Sequence, residues 1–342
     1  MPPMSGGRVL LLGGSGFMGA RTARMLAEAG HEVWTLTRGS RPVPSIAHAL
    51  HGDRRDPAAL AAVLEGRRFD FTVDFCAFDA ADVEALLLVP RAAFGRYVLI
   101  SSGQVYLVTE APRTPYREED SAFPLRPEPA EHSRDHAQWR YGVGKRRAEA
   151  AVLALRDSHG VRATVLRLPI VHGEGDPTLR LWAYLERMLD GGPVLLPEGG
   201  ANSIRFLYAG DVAEVLRTLL ESEPPSEPIY NLAQPDVVTL REFLERVART
   251  AGVTPRFVPF SAEEAASAGL DPGFSPLSGP WSSVLDPARA EKQWGFAATA
   301  LDQWLPAVVR WHLEHRPPHS HSGYATRAIE RGLAAGRTVG AH

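Results

Sequence analysis

The sequence predicts an α/β fold, in which a doubly wound parallel sheet is followed by a smaller lobe toward the C-terminus. Short apolar runs alternate with stretches of helical apolar spacing through the first half of the chain. A glycine-rich turn, "GGSGFMG", joins the first apolar run to the first helical stretch. After residue 170 the alternation gives way to segments broken by "GGPVLLPEGG" and "LDPGFSPLSGP". Strands that alternate with helices favour a parallel sheet covered on both faces.

The individual elements follow from apolar spacing and from the residues that end each segment. Residues 8–12, "RVLLL", predict a buried strand, and the next segment predicts a helix that stops at Gly30. "EVWTL" predicts a second strand, and "DPAALAAVLEG" predicts a helix with Asp56 and Pro57 at its start. Further strands are expected at "FTVDFCAF", "YVLISS" and "ATVLRLPIV".

The composition is that of an ordinary globular protein. The chain has 342 residues, of which 44% are hydrophobic and 23% charged, enough for a large core and two lobes. Its net charge of -3 gives no support to a nucleic-acid or membrane partner. The single cysteine, Cys76, cannot form an internal disulfide, and no apolar run approaches the roughly 20 residues of a membrane helix. These features predict a cytoplasmic protein.

Two segments depart from the alternation of strands and helices. Residues 107–138 are polar and too long for an ordinary connection, so we interpret them as a lid over a site. From residue 317 onward the chain is again polar, which predicts a mobile tail over 317–342. The expected domains are residues 1–168 plus 205–232, and a second lobe of 169–204 plus 233–316.

The spacing of Gly13, Gly16 and Gly19, directly after a strand and at the start of a helix, is typical of a dinucleotide site. Glycines there allow a tight turn and let a pyrophosphate approach the backbone N–H groups at the start of the helix, near Phe17 and Met18. The spacing alone leaves open a glycine-rich turn with no ligand. The strand–turn–helix context favours the dinucleotide site and, with it, a Rossmann-type sheet.

A tyrosine and a lysine, Tyr141 and Lys145 in "YGVGK", are four residues apart and share one face of a predicted helix. A nearby ammonium favours the phenolate, so this tyrosine could exchange a proton with a hydroxyl or carbonyl. The pair by itself is also compatible with an ordinary amphipathic helix. Ser102, however, ends the strand "YVLISS", at the sheet edge where ligands bind, and could hold the substrate oxygen.

Together these features resemble the extended short-chain dehydrogenase/reductases, and within them the NAD-dependent epimerase/dehydratase family. The resemblance rests on the glycine turn, the serine three residues before Val105, the Tyr141–Lys145 pair, and the segments "LRLPIVHGEG", "YAGDVAEV" and "IYNLAQPDVVTLREFLE". It implies a seven-stranded parallel sheet that binds NAD(P) in the first domain, a substrate-binding second lobe, and a homodimer.

By this resemblance, Ser102, Tyr141 and Lys145 form the catalytic triad, and Tyr141 and Lys145 also contact the cofactor. Asp53, in "HGDRRD", matches the acid that contacts the adenine amino group. The implied cofactor contacts outside the triad are Gly13, Gly16, Phe17, Met18, Gly19, Thr37, Arg38, Asp53, Arg54, Ala77, Pro169 and Ile170.

The segment "WTLTRGSRP" predicts which nicotinamide cofactor is preferred. In NAD-selective relatives an acid binds the adenosine ribose at the position of Thr37, whereas here Arg38 and Arg41 follow a neutral residue. A carboxylate there would repel a 2′-phosphate, and a guanidinium can bind one with charge-assisted hydrogen bonds. We therefore expect NADP to be preferred, with NAD possible. The alternative is that both arginines are solvated loop residues.

The resemblance is less informative about the substrate. Nucleotide-sugar binders of the family usually have an asparagine at the position of Ile170, and an arginine seven residues before the aspartate that matches Asp211. Here the second position is Ile204, and Arg205 is one step away, which on a strand reverses the face. Both differences argue against a nucleotide diphosphate, although Arg180 or Arg205 could replace the missing groups. The expected substrate contacts are Ser102, Gln104, His172, Arg180 and Arg205.

The reaction is narrowed by the residues after Ser102. The family's 4,6-dehydratases carry Asp and Glu there, whereas this chain has Gly103 and Gln104, which cannot act as acid and base. We expect oxidation, reduction or epimerisation at an alcohol or ketone carbon of a sugar, sugar nucleotide or related polyol. A non-catalytic NADP-binding regulator, or an RNA-binding relative of the chloroplast stem-loop-binding proteins, remains the alternative.

The histidines of the chain do not predict a metal site. Two of them lie four residues apart in "HSRDH", and four more cluster near the C-terminus. Neither group comes with a fitting set of acidic or cysteine ligands, so we expect no metal and solvated histidines.

Overall fold

A computed structural model describes residues 6–87, 89, 94–112, 114–159, 162–271 and 273–338. The strands in this part of the chain are β1 (Arg8–Leu12), β2 (Glu32–Thr37), β3 (His48–His51), β4 (Phe71–Asp74), β5 (Arg96–Ser102), β6 (Ala163–Leu168), β7 (Ile170–His172), β8 (Val194–Pro197), β9 (Ser203–Ile204), β10 (Phe206–Tyr208), β11 (Ile229–Asn231), β12 (Val238–Thr239) and β13 (Phe257–Phe260).

The helices are α1 (Phe17–Glu28), α2 (Pro57–Leu64), α3 (Ala80–Leu87), α4 (Gln104–Leu107), α5 (Arg134–His159), α6 (Arg180–Leu189), α7 (Ala209–Glu221), α8 (Leu240–Ala251), α9 (Ala262–Ser267), α10 (Ala288–Trp294), α11 (Leu301–Glu314) and α12 (Arg327–Thr338). Short 3-10 helices occur at Glu118–Ala122, Glu198–Gly200 and Ser322–Thr326. Among the described residues, no helix combines the length and the apolar character that crossing a bilayer requires.

Seven strands form one sheet in the order β11-β6-β5-β4-β1-β2-β3, and all neighbours run parallel. Leu12 of β1 lies beside Leu36 of β2 and Asp74 of β4, so these strands end at the same edge. The predicted doubly wound parallel sheet is confirmed. Because ligands of such sheets bind outside the carboxyl ends of the strands, this edge is where a site is expected.

Both faces of the sheet are covered, because successive side chains of a strand point to opposite sides. Leu10 and Leu12 of β1 belong to a core formed with α2, α3 and α5. Val9 and Leu11, which alternate with them, are fully buried as well. Helix α1 packs against α7. Because β1 is buried on both faces of the sheet, its residues must be almost entirely apolar.

Local signals fix the start of α2 as the sequence predicts. The Asp56 side chain accepts hydrogen bonds from the amides of Ala58 and Ala59 at 3.0 and 3.1 Å, and Pro57 occupies the first turn. An aspartate cap followed by proline satisfies amides that have no partner within the helix. This places the loop that precedes α2, with Asp53 and Arg54, at the end of β3.

The chain divides into two compact units. The first contains Met1–Pro169, Leu207–Ala233 and Leu285–Ala298, and the second contains Ile170–Phe206, Gln234–Val284 and Thr299–His342. This division differs from the predicted domains at residues 285–298, which belong to the first unit. There the Asp286 amide donates to the Tyr116 carbonyl at 2.8 Å, and the rings of Trp294 and Tyr230 lie 4.1 Å apart. These contacts join positions far apart in sequence, which local patterns do not reveal.

The predicted mobile tail is wrong for most of its described part, because residues 322–338 are helical and packed. Glu330 and Ala334 of α12 are fully buried. Glu330 forms a 2.6 Å ion pair with Arg187 of α6, and Arg327 pairs with Asp190 at 2.8 Å. The polar composition reflects buried ion pairs within the second unit, and residues 339–342 lie outside the described part.

Candidate active site

The glycine-rich turn lines a cleft of about 620 Å³ in the first unit. Gly13 has a φ of 89°, in the left-handed region that favours glycine. A Cβ at Gly19 would overlap the Gly13 carbonyl oxygen and lie 2.8 Å from the Gly14 Cα, so α1 can approach the turn this closely only with glycine there. The cleft brings together these predicted cofactor contacts: Gly13, Gly16, Phe17, Met18, Gly19, Thr37, Arg38, Asp53 and Arg54.

The end of β2 contributes a neutral and a basic residue to this cleft. Thr37 is buried, and its hydroxyl accepts a hydrogen bond from the Gly39 amide at 3.1 Å. Arg38 and Arg41 are exposed and line the cleft, together with Ser40. This wall of the cleft therefore offers positive charge and hydroxyl groups where an acid would stand in an NAD-selective relative.

Arg54 lies in the cleft wall, but its guanidinium is occupied by protein groups. It donates to the Asp74 carboxylate at 2.6 Å, to the Cys76 sulfur at 3.3 Å, and to the Asp82 carbonyl at 2.5 Å. Burial alone lowers the pKa of Arg54, but the Asp74 carboxylate more than reverses this and holds that pKa above its ordinary value. The guanidinium thus serves an internal ion pair, while Arg54 still lines the cleft, and its contact with a cofactor stays a prediction.

Asp74 is a buried polar residue that the sequence analysis does not single out. It is fully buried at the end of β4 and accepts hydrogen bonds from Arg54, from the Tyr97 hydroxyl and from the amides of Cys76 and Ala77. Burial raises the pKa of Asp74, but these donors outweigh burial and hold the pKa below its usual range. Its partners are brought together only by the fold, so no local motif indicates the network.

Lys145, on α5, is buried beneath the cleft wall. Its ammonium donates to the Ala77 carbonyl at 2.7 Å and to the Ile100 carbonyl at 2.8 Å, and lies 5.2 Å from the centre of the Phe78 ring. Burial lowers the pKa of Lys145 to about 8, with partial compensation by Asp74 and Glu149. The side chain is thus charged near neutral pH, and two of its three N–H groups are used by carbonyls.

Tyr141 lies one helical turn before Lys145 on the same face of α5. It is half-buried, with its ring 6.2 Å from the Phe78 ring. The two glycines between them, Gly142 and Gly144, permit close packing: a Cβ at 142 would lie 2.7 Å from the Gln104 carbonyl oxygen, and one at 144 would overlap that of Phe78. The two glycines of "YGVGK" therefore let α5, with Tyr141 and Lys145, pack closely against Gln104 and Phe78 at this edge of the sheet.

Ser102 is the last residue of β5, and its hydroxyl accepts the Gln104 amide at 3.2 Å. The Gln104 side-chain amide donates to Gln138 at 2.7 Å. The neighbouring Ser101 is buried and donates to Glu149, so its hydroxyl is committed to the interior of the unit. Of the two serines, Ser102 is the one that lies at the sheet edge beside α5.

The first part of the 107–138 segment is packed into the first unit. Buried Arg167 donates to the Glu118 carbonyl at 2.8 Å and to the Ser121 hydroxyl at 3.0 Å, while a Glu118 carboxylate oxygen accepts the Asn231 amide at 2.8 Å. Asp120 is fully buried and accepts the Arg117 amide. The interpretation of the segment as a lid does not hold for residues 117–122, because these contacts anchor them.

The predicted substrate contacts in the second unit differ in accessibility. His172 is fully buried, 3.6 Å from Asp176, with the rings of Phe206, Phe243 and Trp304 around it. This packing closes its ring off from a ligand and contradicts its predicted role.

Arg205 is also buried, and it donates to the Gln234 carbonyl at 2.6 Å and to that of Pro235 at 3.1 Å. Its guanidinium thus holds a loop, and its predicted contact with a substrate diphosphate has no support here. Arg180, the first residue of α6, and Ile170, the first of β7, are half-buried. Pro169 is buried between β6 and β7. Over the residues that the structure describes, no three His, Cys, Asp or Glu side chains are grouped so that they could hold a metal ion.

The fold and this arrangement of side chains agree with a comparison against known families. The model of the NAD dependent epimerase/dehydratase family matches residues 9–233, well over half of the chain. The chain belongs to this family. It is an enzyme of the extended short-chain dehydrogenase/reductase type, which confirms the resemblance seen in its motifs.

Curated relatives of the chain differ in what they do. The 2'-dehydrokanamycin reductase of Streptomyces kanamyceticus is 30% identical over 87% of this chain and 84% of its own length. The chloroplast stem-loop binding protein of 41 kDa b of Arabidopsis thaliana is 26% identical over 75% of this chain and 67% of its own. Among solved structures, the UDP-glucose 4-epimerase of Thermus thermophilus superimposes with a TM-score of 0.68 at 23% identity, covering 91% of this chain and 100% of its own. That structure supports the fold.

Proposed function

We propose that the protein is an NAD(P)-dependent oxidoreductase or epimerase acting at an alcohol or ketone carbon of a sugar or related polyol, with Ser102, Tyr141 and Lys145 as its catalytic residues. One observation carries the proposal. The buried Lys145 ammonium is fixed by the Ala77 and Ile100 carbonyls, one helical turn from Tyr141 and behind the loop whose Cys76 and Phe78 line the glycine-rich cleft. An amphipathic helix with an incidental lysine would leave that lysine in solvent.

The residues of the cleft fit a dinucleotide cofactor. Gly13 allows the left-handed turn and Gly19 lets α1 pack against it, so that the N-terminus of α1, where backbone N–H groups suit a pyrophosphate, lines the cleft. Asp53 would bind the adenine, and Arg38 with Thr37 would favour a 2′-phosphate and hence NADP. Ala77, Pro169 and Ile170 would line the nicotinamide end. The bound nicotinamide would give or take the hydride.

Proton transfer falls to the residues of α5 and β5. The charged Lys145, one helical turn from Tyr141, would favour the phenolate form of that tyrosine. Tyr141 would then give a proton to a carbonyl oxygen during reduction, or take one from a hydroxyl during oxidation. The Ser102 hydroxyl would hold that oxygen by a hydrogen bond. Gln104, two residues away and fixed by Gln138, would contact the neighbouring part of the substrate.

Two observations narrow the substrate. Ile170 and Ile204 replace polar residues that support a diphosphate, and the Arg205 guanidinium is used by carbonyls. These differences favour a free sugar or glycoside over a sugar nucleotide as the substrate. The relative named 2'-dehydrokanamycin reductase favours net reduction over epimerisation. Arg180 remains available as a contact.

The test is oxidation of NADPH, followed at 340 nm, with a panel of keto-sugars and glycoside ketones and with matched nucleotide-activated sugars. We expect turnover with members of the first group, and its loss in Tyr141→Phe. The cofactor that copurifies with the protein distinguishes epimerisation from net reduction. Tightly retained oxidised cofactor indicates an epimerase, and rapid exchange with free NADPH indicates a reductase.

The likeness to the chloroplast stem-loop binding protein favours one other candidate, an RNA-binding protein without turnover. RNA binding that falls steeply with salt, together with no turnover of any carbonyl, would support it. The net charge of -3 and the buried lysine favour the enzyme.

We also propose that the protein is cytoplasmic, in line with its single cysteine, Cys76, which is a free thiol. By analogy with the family, we propose that it forms a homodimer.

A further inference from the structure

Four consecutive amides of the loop after β4 are bound by two aspartates. The Asp74 carboxylate accepts the amides of Cys76 and Ala77, both at 2.9 Å. The Asp82 carboxylate accepts the amides of Phe78 and Asp79 at 2.8 and 3.2 Å. A loop whose successive N–H groups are all bound to carboxylates has little freedom to move. Its conformation is therefore set by Asp74 and Asp82 rather than by its own sequence.

Two adjacent arginines balance these two aspartates. Arg54 pairs with Asp74 at 2.6 Å, and Arg55 pairs with Asp82 at 2.9 Å. Arg54 also donates to the Asp82 carbonyl, so it touches both ends of the loop. The two ion pairs give both arginines of "GDRRD" a structural role, whereas the resemblance implies cofactor contacts for Asp53 and Arg54 only. We call the four side chains of Arg54, Arg55, Asp74 and Asp82 the loop clamp.

The clamped loop in turn holds Lys145. The amide of Ala77 is bound by Asp74, while its carbonyl accepts the Lys145 ammonium at 2.7 Å. The next carbonyl, that of Phe78, is the one against which Gly144 of α5 packs. The loop therefore fixes the end of the Lys145 side chain and also the helix that carries it.

We propose that the loop clamp positions Lys145 for catalysis, with Asp74 as the principal positioning residue, acting through the backbone of Cys76 and Ala77. Asp74 does not touch the reacting atoms in this scheme. It orients the Ala77 carbonyl toward the Lys145 ammonium and adds its own negative charge to that of Glu149 near this ammonium. The inference rests on the proposed function only for the catalytic role of Lys145 beside Tyr141.

The charges that face Lys145 determine the expected effects of substitution. They are Asp74 from the end of β4, Glu149 from α5, and Arg54 from the loop before α2, and the Cys76 thiol, whose pKa burial raises to about 11, is the remaining titratable group. Asp74 and Glu149 favour the ammonium, whereas burial and Arg54 disfavour it. Removing the Asp74 charge should therefore lower the pKa of Lys145 further, and removing the Arg54 charge should raise it.

The chain offers a direct measurement, because Lys145 and Lys292 are its only lysines. Full-length protein with ¹³C at the lysine ε-carbon gives two resonances, whose pH titration reports each ammonium without any substrate. In Asp74→Asn the Lys145 midpoint should fall by about one pH unit or more, and in Arg54→Gln it should rise. Lys292, on α10, serves as the internal reference. Asp56→Asn is the matched control, since asparagine also caps a helix.

Hydrogen exchange of the peptide over residues 75–80 reports the loop itself. Asp74→Asn should speed exchange of the Cys76 and Ala77 amides at least tenfold, and Asp56→Asn should not. Should Asp74→Asn fail to fold, the double variant Asp74→Asn with Arg54→Gln leaves no unpaired buried charge. Its Lys145 midpoint should still fall, because Asp74 acts on Lys145 more strongly than Arg54 does.

The two measurements separate positioning from a merely structural role. Faster loop exchange with an unchanged Lys145 midpoint in a folded variant would overturn the inference, as would no change in either. A shifted Lys145 midpoint alongside a Tyr141→Phe variant with undiminished turnover would instead leave the inference standing and refute the proposed function.

Discussion

Gly144 of α5 packs directly against the Phe78 carbonyl, with no room for a Cβ between them. The contact joins α5 to the loop whose Ala77 carbonyl binds Lys145. A glycine within a helix is ordinarily unfavourable compared with alanine, by about 1 kcal/mol. Here the loss is offset because the glycine lets helix and loop come together at the site.

Gly144→Ala should therefore destabilise the protein even though alanine is the better helix former. The methyl group must push the loop away from α5, and overpacking of this kind costs about 1–3 kcal/mol. Turnover should fall as well, because the Ala77 carbonyl moves with the loop. Chemical denaturation gives the change in the free energy of unfolding. Gly332→Ala is the control: this glycine of α12 has no atom within reach of a Cβ and should be neutral or stabilising. Equal stability of the two variants would contradict the packing argument.

Tyr141→Phe removes one hydroxyl and leaves the ring beside Phe78 in place. Turnover should fall roughly 10²- to 10⁴-fold, the usual contribution of a general acid or base. The melting temperature and the affinity for NADPH should stay near those of the parent. An unchanged kcat on a true substrate would show that another group moves the proton.

Arg38→Ala should weaken NADP(H) binding by about 1–3 kcal/mol and leave NAD(H) nearly unchanged, because the guanidinium would contact only the 2′-phosphate. Calorimetric titration with both cofactors measures the difference. Arg68→Ala, an exposed arginine outside the cleft, is the matched control for the loss of one surface charge. Equal losses of affinity for NADP(H) and NAD(H) would contradict the assignment of Arg38 to the 2′-phosphate.

The site residues that the sequence singles out are local in the chain. The glycines at 13, 16 and 19 share one strand–helix turn, the acid at 53 follows β3, and Tyr141 and Lys145 lie one turn apart on α5, so short motifs are enough to indicate them. The role of Asp74 is different. Its partners Arg54 and Tyr97 are about twenty residues away on either side, and only the pairing of parallel strands brings them together.

Charged residues misled the sequence analysis where the fold buries them in pairs. The polar composition of the C-terminal segment predicts that Arg327 and Glu330 are exposed, yet both are buried in the second unit. Each of them forms a hydrogen bond with Arg187. His172 failed for a related reason. The sequence analysis predicts that it contacts the substrate, but aromatic rings from α8 and α11 enclose it.

Glu330→Gln tests whether the C-terminal helix is integral to the second unit. The carboxylate is fully buried between Arg187 and Arg327, at 2.6 and 2.9 Å. Removing its charge leaves both guanidinium groups without that partner, which should cost about 3–5 kcal/mol in the free energy of unfolding. Glu314→Gln, at the exposed end of α11, should change it by less than about 0.5 kcal/mol. A tail that moves freely would make the two variants equivalent.

The enzyme should not eliminate water from its substrate. Elimination needs an acid to protonate the leaving hydroxyl and a base to remove the proton alpha to the ketone. Gly103 has no side chain, and the Gln104 amide neither donates nor accepts a proton near neutral pH. The carboxylates that could replace them are Glu118, Glu119 and Asp120 of the 107–138 segment. Glu119 is exposed and pairs with Arg289 at 3.4 Å, whereas Glu118 and Asp120 are buried.

Glu118 accepts the Asn231 amide and Asp120 accepts the Arg117 amide, both as buried groups. To reach a substrate, either carboxylate would have to leave these donors and unpack the 3-10 helix that Arg167 holds from the interior. Buried, satisfied carboxylates are costly to free, so neither is a ready substitute for the missing pair. The measurement is incubation with free and nucleotide-activated hexoses, and mass spectrometry for a product lighter by one water. A 4-keto-6-deoxy product formed at catalytic rates would contradict this conclusion. Products that differ from the substrate by two hydrogens, or only in configuration, would agree with hydride transfer by the nicotinamide and proton transfer by Tyr141.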